Sequence, residues 1–198
     1  MPRVTRIFYL LLSWIIAGSI YLIIGAIDRK SWVIEETFMD KCISFNPIGV
    51  WLYLSFYIYI PFTFFFASDL LIKRLSFSII IGSILSGILF LLFPSTIVYP
   101  HYEITNVSSY LLKFIENNDT EQNCFPSMHG LLITLCTIAN FNSQSKNLKV
   151  LIILLTFMMY YSIIQLRRHV FVDLAAGVFL AIIIWISVHQ LLRKILKS

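Results

Sequence analysis

Charged side chains are scarce in this sequence, and their scarcity excludes several classes of protein. Asp, Glu, Lys and Arg make up only 13% of the 198 residues, whereas a soluble globular domain has roughly a quarter. Hydrophobic residues reach 59% and the mean hydropathy is +0.84, which rules out a disordered chain. The net charge of +5 is too thinly spread for a polyanion-binding surface, so we expect no nucleic-acid partner.

Cysteine is also scarce, and internal repeats are absent from the sequence. Three cysteines, none of them in a C-x-x-C pair, exclude a disulfide scaffold, although a single bridge between Cys42 and Cys124 stays open. The chain contains no low-complexity stretch and no linker, and its apolar runs do not alternate as strands do. We therefore expect a single domain over residues 1–198.

What the sequence does contain is six long apolar runs. A helix needs about 20 mostly apolar residues to cross a bilayer, where it satisfies its own backbone hydrogen bonds. We predict an all-α polytopic membrane protein, a bundle of six transmembrane helices, with spans at 7–27, 48–67, 76–99, 127–141, 149–166 and 173–192. The fourth run is the shortest, so five spans with a re-entrant fourth segment is the alternative.

The distribution of Lys and Arg predicts the orientation of the bundle. With the N-terminus inside, the inner loops and termini hold more of these residues than the outer loops do, so both termini are expected in the cytoplasm. Arg3 and Arg6 precede the first run as basic residues precede a signal peptide, but the run is too long for one and is expected to be retained. The expected location is a bacterial inner membrane.

The two long connections, 28–47 and 100–126, face outward in this topology. The first mixes charged and apolar residues and is expected to lie along the membrane interface as an amphipathic segment. The second is polar, and it contains His101.

Ionisable residues near a membrane core are costly and mark functional sites. Two clusters stand out, at residues 124–130 and 167–173. Each follows a span that runs from inside to outside, so both clusters face the outside, which is the periplasm in the expected location. We therefore expect them to form one site.

The first cluster has the chemistry of an anion cradle. Pro126 suits the first turn of a helix, where its missing N–H costs nothing. We expect Ser127, Met128 and Gly130 to bind phosphate, through backbone N–H groups at the positive end of that helix and through the Ser127 hydroxyl. His129 can exchange a proton near neutral pH.

The second cluster supplies a nucleophile and its orienting group. His169 and Asp173 are four residues apart, a spacing that stacks them on one helix face. Asp173 can accept from one ring nitrogen of His169 and leave the other free to attack phosphorus. Arg167 and Arg168 can fork onto phosphate oxygens, and because adjacent residues point different ways, we expect only one of them to bind directly.

Together the two clusters predict a phosphate site in which His169 attacks phosphorus and His129 protonates the leaving oxygen. No set of metal ligands with suitable spacing is visible in the sequence, and we expect neither a metal nor another cofactor. The expected substrate is an amphipathic lipid phosphate.

At these residues the sequence resembles the type-2 phosphatidic acid phosphatase superfamily. The P-S-x-H motif of that superfamily matches Pro126, Ser127 and His129, and its H-x-x-x-D motif matches His169 and Asp173, with a suitable spacing between the two. The resemblance implies a six-helix membrane core, a phosphohistidine intermediate on His169 and acid–base work by His129. It also implies a lipid phosphatase, a head-group phosphotransferase or a haloperoxidase.

Two features depart from the phosphatase pattern. The first motif of the superfamily, a Lys followed by Arg-Pro, is missing, and His101 is a candidate substitute donor. The basic residues stand directly before His169, which is similar to the branch that contains inositol phosphorylceramide and sphingomyelin synthases. We predict a metal-independent lipid phosphatase that acts on a phosphomonoester or pyrophosphate, with a head-group phosphotransferase, a non-enzymatic lipid-phosphate carrier or flippase, and a structural subunit as alternatives.

Overall fold

A computed structural model describes residues 1–141 and 145–195, and within these ranges the chain is mostly helical, with very little strand. Its helices are α1 Arg3–Gly25, α2 Phe38–Lys41, α3 Val50–Leu54, α4 Phe56–Phe66, α5 Asp69–Leu92, α6 Val107–Asn118, α7 Met128–Phe141, α8 Lys146–Gln165 and α9 Phe171–Ile195. A 3-10 turn, Pro47–Gly49, leads into α3, and two short parallel strands, β1 Trp32–Val33 and β2 Ser95–Thr96, pair with each other. The predicted all-α class is confirmed.

Five helical segments of the described chain are long and apolar enough to cross a membrane. They are α1, the continuous segment Pro47–Phe66, α5, α8 and α9. The segment predicted as the fourth span corresponds to α7, which has only 14 residues and is therefore about 21 Å long. The prediction of a polytopic helical membrane protein is confirmed, whereas the count of six spans stays a prediction.

The third span differs in position from its prediction. The sequence predicts 76–99, but α5 covers Asp69–Leu92 and ends just before Phe93-Pro94. Pro94 has no N–H and disfavours helical geometry in the residue before it, and Phe93 accordingly has φ −133° and ψ 66°. The chain then extends into β2, so the predicted helical end at residue 99 is wrong.

Helix α7 lies at the centre of the bundle and contacts α4, α5, α8 and α9. Its side chains Leu131, Ile133 and Leu135 are fully buried. By contrast, α1 packs mainly on α5 and α4 and leaves Phe8 and Ile15 exposed, an apolar surface that suits contact with lipid. The most central helix is thus the one that begins at the P-S-x-H motif.

The loops at one end of the bundle are joined to each other. Strand β1 pairs with β2, and the Cys124 N–H donates to the Ser95 carbonyl. The 28–47 connection contains β1 and α2 and reaches the α8–α9 connection, where the Asp40 carboxylate accepts from the Phe171 N–H at 2.7 Å. The predicted interfacial segment is therefore also a packing element of this end.

The 100–126 connection holds a helix that the sequence does not predict. Helix α6 starts with a capping box in which the Asn106 side chain accepts from the Ser109 N–H and the Ser109 hydroxyl accepts from the Asn106 N–H. One face of α6 lies against the bundle through Leu111 and Ile115, while Tyr110 on the other face is exposed. It is thus an amphipathic helix that lies across the end of the bundle.

Helices α7 and α9 approach so closely that glycine is required between them. A Cβ at Gly177 would lie 2.2 Å from the Ser127 backbone oxygen. A Cβ at Gly130 would lie 3.0 Å from the Leu174 backbone oxygen. Small residues allow such contact between helices, and here the contact brings the two predicted motifs side by side.

This close approach predicts that Gly177→Ala destabilises the protein. The added methyl meets backbone rather than a movable side chain, so we expect a loss of about 1–3 kcal/mol in the free energy of unfolding. The measurement is thermal unfolding of the detergent-solubilised protein. Gly18→Ala is the matched control, since a Cβ there meets nothing within 4 Å and alanine favours the helix by about 0.5–1 kcal/mol. Equal stability of the two variants would contradict the packing described.

Candidate active site

His129, His169 and Asp173 form one continuous hydrogen-bonded chain. His129 Nδ1 lies 3.2 Å from His169 Nε2, and His169 Nδ1 lies 2.7 Å from Asp173 Oδ2. Both His169 and Asp173 are buried. The structure thus brings together the three residues that the sequence predicts to be catalytic, although they belong to two clusters forty positions apart.

The hydrogen-bond partners of His169 and His129 define the tautomer of each imidazole. An ionised Asp173 can only accept, so His169 carries its proton on Nδ1 and presents a lone pair on Nε2. His129 must then donate from Nδ1, and its Nε2 accepts from the Tyr53 hydroxyl at 2.7 Å. The nucleophilic nitrogen predicted for His169 is therefore the one that faces His129.

The backbone holds Asp173 in place. Its Oδ1 accepts from the N–H groups of Val170 and Leu174, each at 2.8 Å. Its carbonyl accepts from the Ser127 N–H at 3.0 Å, which ties the start of α9 to the start of α7. Asp173 therefore orients His169 and also fixes the relative position of the two motifs.

Ser127 caps helix α7 in this structure. It precedes the helix, and its hydroxyl accepts from the Gly130 N–H at 3.1 Å, as an N-cap serine does. The N–H groups of Ser127 and Gly130 thus have partners within the protein. The phosphate-binding roles of Ser127, Met128 and Gly130 stay predictions. Of the three, only Met128 lines the apolar cavity beside His129, which is described below.

Arg167 and Arg168 point in different directions because of an unusual backbone angle. Arg167 has φ 51°, the left-handed conformation that typically ends a helix at glycine. The N–H groups of Arg167 and Arg168 donate to the Ile164 and Ile163 carbonyls, which is the hydrogen-bond pattern of a Schellman motif. A non-glycine residue in this conformation costs about 1–3 kcal/mol, and such strain must be held by its surroundings.

The surroundings of Arg167 supply that support. Its guanidinium donates to the Glu36 carboxylate at 2.5 Å and to the carbonyls of Ile164, Asp40 and Ile43 at 2.7, 3.1 and 2.8 Å. Arg167 thereby fastens the 28–47 connection to the end of α8. These contacts occupy it in the structure, although the sequence names it as a phosphate-binding candidate.

Arg168 belongs to a different network. Its Nη2 donates to Asp119 Oδ2 at 2.6 Å, and Asp119 Oδ1 accepts from the Tyr21 hydroxyl at 2.6 Å. The Nε of Arg168 is buried and has no hydrogen-bond partner within the described part of the chain. A buried donor that the protein does not satisfy is costly, and this one directly precedes the nucleophile candidate in the sequence.

The Asp119–Arg168 pair is ionised at neutral pH. Burial, the largest single influence, favours the neutral form of Asp119, but the interactions with Arg168, His129 and the Tyr21 hydroxyl together outweigh it and hold the pKa of Asp119 below its usual value. Burial likewise opposes the charge of Arg168, and the Asp119 carboxylate raises the pKa of Arg168 above its usual value. The region around the histidines therefore contains a positive and a negative charge in direct contact.

A largely apolar cavity of about 440 Å³ opens beside His129. His129, Asp119, Tyr21 and Tyr53 supply polar groups to its wall. Apolar side chains from six helices form most of the rest, among them Leu10, Trp14, Phe56, Ile60, Leu111 and Phe114. One acid–base candidate thus borders a space that suits hydrocarbon.

The other candidates lie elsewhere or have different partners. His101 is exposed and is not among the residues that line this cavity. Cys42 is exposed and Cys124 is buried, and both are free thiols in the structure. Cys124 Sγ, His169 and Asp173 offer ligand atoms that all lie within 4.8 Å of one another, a grouping that the spacing of these residues in the sequence does not reveal.

The sequence gives little sign of Tyr53, Asp119 and Asp40. Tyr53 is one of many aromatic residues in its run, and Asp119 lies in a polar stretch with several similar residues. Asp40 is fully buried but stands in a charged connection that suggests a solvated surface. Their contacts depend on loops that meet only in the folded chain.

The bundle and its paired histidines define the class: a helical membrane protein whose site has the groups needed for phosphoryl transfer. The chain matches the PAP2 superfamily over residues 4–187 and belongs to that superfamily. Membership supports a phosphatase-like or phosphotransferase-like function in general. No curated protein and no solved structure matches the chain. The predicted superfamily is thus confirmed, while the synthase-like branch stays a prediction.

The buried pair predicts a pH-dependent effect of Asp119→Asn. Because the pKa of Asp119 is lowered by folding, its carboxylate stabilises the protein above the unfolded-state pKa and loses that effect as the pH falls toward the folded-state pKa. We expect the variant to unfold about 1–3 kcal/mol more easily at pH 7 and the difference to shrink below about pH 4. Thermal unfolding across this pH range measures it.

Lys113→Gln is the control for that experiment. It removes an ion pair with Glu116 in which the Lys113 side chain is 49% exposed, so we expect a change below about 1 kcal/mol. An Asp119→Asn deficit that stays constant down to acid pH would contradict the assignment of an ionised, stabilising Asp119.

Proposed function

We propose that this protein is a membrane lipid phosphatase that hydrolyses a phosphomonoester or pyrophosphate of an amphipathic lipid through a phosphohistidine on His169. The observation that carries the proposal is the hydrogen-bonded chain Asp173–His169–His129 at the edge of an apolar cavity. Chemistry at the outer membrane face, the periplasmic side of a bacterial inner membrane, is part of the proposal.

In the first step His169 Nε2 attacks phosphorus, and the bond between phosphorus and the leaving oxygen breaks. Asp173 accepts from Nδ1–H and stabilises the positive charge that develops on the ring. His129, protonated on both ring nitrogens in this step, gives a proton to the leaving oxygen. The 3.2 Å contact between the two rings leaves no room for phosphorus, so His129 must move away from His169 as the substrate enters.

In the second step water replaces His169 on phosphorus. His129, now neutral, removes a proton from the water, whose oxygen forms the new bond as the P–N bond breaks. His169 regains its Nε2 lone pair, and inorganic phosphate leaves. His129 therefore acts first as an acid and then as a base, and both roles need it beside the nucleophile.

Arg168 is the better placed of the two arginines to bind the phosphoryl group. Its Nε is a buried donor without a partner among the described residues, and its Nη2 is fixed by Asp119. Arg167 is occupied by four acceptors from the 28–47 connection and α8. We therefore assign phosphate binding to Arg168, assisted by the start of α7, and the holding of the loop to Arg167.

The cavity supports a lipid as the substrate. Its wall is mainly hydrocarbon, and it reaches from His129 to side chains of α1 such as Leu10. Filling such a space with an acyl or prenyl chain gains packing contacts and removes from water whatever apolar wall the empty cavity exposes to it. A phosphate attached to that chain would then lie next to His129.

A head-group phosphotransferase is the second candidate, and the charge of the site favours it. Arg168 is already paired with Asp119, and Asp173 adds another carboxylate nearby. A phosphodiester, which carries a single negative charge, is repelled less by these groups than a phosphomonoester dianion. In this case the hydroxyl of an acceptor alcohol replaces water in the second step.

A panel of lipid phosphates tests the proposed phosphatase. We expect the purified protein to release inorganic phosphate from at least one of them without an added alcohol, and rapid quenching with a ³²P-labelled lipid to trap an acid-labile phosphoenzyme. His169→Ala should lower the rate by more than about 10³-fold and abolish the phosphoenzyme. His129→Ala should slow the reaction by about 10²–10⁴-fold, as expected for a missing general acid–base.

His189→Ala is the control, because His189 is an exposed histidine near the far end of α9. Phosphate transfer that requires an added alcohol would identify the transferase instead. Lipid binding or transport without any trapped phosphoenzyme would indicate a carrier. Full activity of His169→Ala would contradict both steps of the proposed mechanism.

The two arginines should respond differently to substitution by lysine. Arg168→Lys keeps the charge but loses the Nε donor, so we expect kcat/KM to fall about 10–100-fold, the equivalent of one charge-assisted hydrogen bond. Arg167→Lys should chiefly lower the unfolding temperature, since it loses bonds to backbone carbonyls. The roles of the two arginines would be reversed if Arg168→Lys kept its kcat/KM while Arg167→Lys lost kcat/KM without any fall in unfolding temperature.

A further inference from the structure

Cys124 is a buried thiol beside the nucleophile, and the proposed mechanism does not use it. It stands two residues before Pro126 and is only 2% exposed. Its thiol donates to the Glu121 carbonyl at 3.8 Å, and its Sγ lies 4.0 Å from the Tyr99 hydroxyl. Both distances are long, so the sulfur is weakly held by its neighbours.

The backbone around Cys124 is, in contrast, well fixed. The Cys124 N–H donates to the Ser95 carbonyl at 3.3 Å, and the next N–H, that of Phe125, donates to the Ser95 hydroxyl at 2.8 Å. Ser95 belongs to β2, which pairs with β1. The thiol is therefore presented to the site by a rigid loop.

The atoms near this thiol form a set of metal ligands. Sγ of Cys124, a ring nitrogen of His169 and a carboxylate oxygen of Asp173 all lie within 4.8 Å of one another. In tetrahedral zinc sites, bonds of about 2.0–2.3 Å place ligand atoms about 3.5 Å apart. To hold one ion, the widest separation must therefore shrink by about 1.3 Å, while His169 Nδ1 and Asp173 Oδ2, now 2.7 Å apart, must move slightly apart.

The ligand types and their charges fit a thiophilic divalent cation. Thiolate, imidazole and carboxylate are the ligands that Zn²⁺ takes in proteins, and three of them leave a fourth position for water. One thiolate and one carboxylate neutralise the two positive charges of the ion, which matters because a buried net charge is costly. We propose that Cys124, His169 and Asp173 form an inhibitory site for Zn²⁺ or a similar soft divalent cation.

The proton balance explains the inhibition, which rests on the proposed role of His169. Zn²⁺ binds the Cys124 sulfur and releases its proton to solvent. It takes the place of the proton between His169 Nδ1 and Asp173, and that proton moves to Nε2 of the same ring. His129 shifts its own proton from Nδ1 to Nε2, which then donates to the Tyr53 hydroxyl oxygen, so its Nδ1 accepts from the new His169 N–H. His169 then has no lone pair facing His129, so it cannot attack phosphorus until the metal leaves.

Cobalt substitution tests the site without any need for activity. The metal-free protein, prepared with a chelator, is titrated with Co²⁺, and we expect one ion per chain and a thiolate-to-cobalt charge-transfer band in the near ultraviolet. Cys124→Ser and Cys124→Ala should lose the band. Cys42→Ser and Cys136→Ser should keep it, since neither sulfur belongs to the grouping. His169→Ala should weaken the binding.

Inhibition is measured in parallel on any lipid phosphate that the enzyme hydrolyses. Zn²⁺ should inhibit the protein, a chelator should restore activity, and Cys124→Ser should need more than about 100-fold more Zn²⁺ for the same fractional loss, because removing a ligand costs more than removing an outer-shell partner. A band that persists in both Cys124 variants, or equal inhibition of a folded Cys124→Ser, overturns the site. A band without hydrolysis of any lipid would instead count against the proposed function alone.

Discussion

The buried Asp173 carboxylate is the group on which the rest of the site depends. One of its oxygens orients His169, the other accepts two N–H groups at the start of α9, and its carbonyl accepts the Ser127 N–H at the start of α7. A buried carboxylate is tolerated only when it is satisfied in this way. The same interactions that make the charge acceptable therefore fix the two motifs relative to each other, so stability and site geometry cannot be separated at this residue.

The backbone φ angle of Arg167 directs the guanidinium groups of two adjacent arginines to different partners. The left-handed conformation of Arg167 ends α8 and turns its guanidinium toward the 28–47 connection, while Arg168 points to Asp119. One cation thus holds a loop that also supports the start of α9 through Asp40, and the other stands near the histidines. The sequence correctly indicates that adjacent residues diverge, but which arginine goes where depends on the fold of the outer connections.

The sequence predicts the parts of this protein that depend on local pattern. Long apolar runs predict the helices, and the two short motifs predict the superfamily and the residues that meet at His129 and His169. It does not predict the end of α5 at Leu92, although Phe93-Pro94 carries that signal, nor helix α6, whose polar composition resembles a loop. Asp119, Tyr53 and Cys124 acquire their partners only through contacts between distant segments, which periodicity and spacing cannot reveal.

The direct contact between His129 and His169 has a consequence for the empty protein. While the His129 proton points at His169 Nε2, the lone pair of that nitrogen is engaged and small electrophiles from the aqueous side meet no free nucleophile. Under the proposed mechanism, the substrate separates the rings as its tail fills the apolar space beside His129. In that mechanism, binding of the tail and exposure of the nucleophilic nitrogen are one coupled event, and a phosphate without a tail finds the two rings still joined.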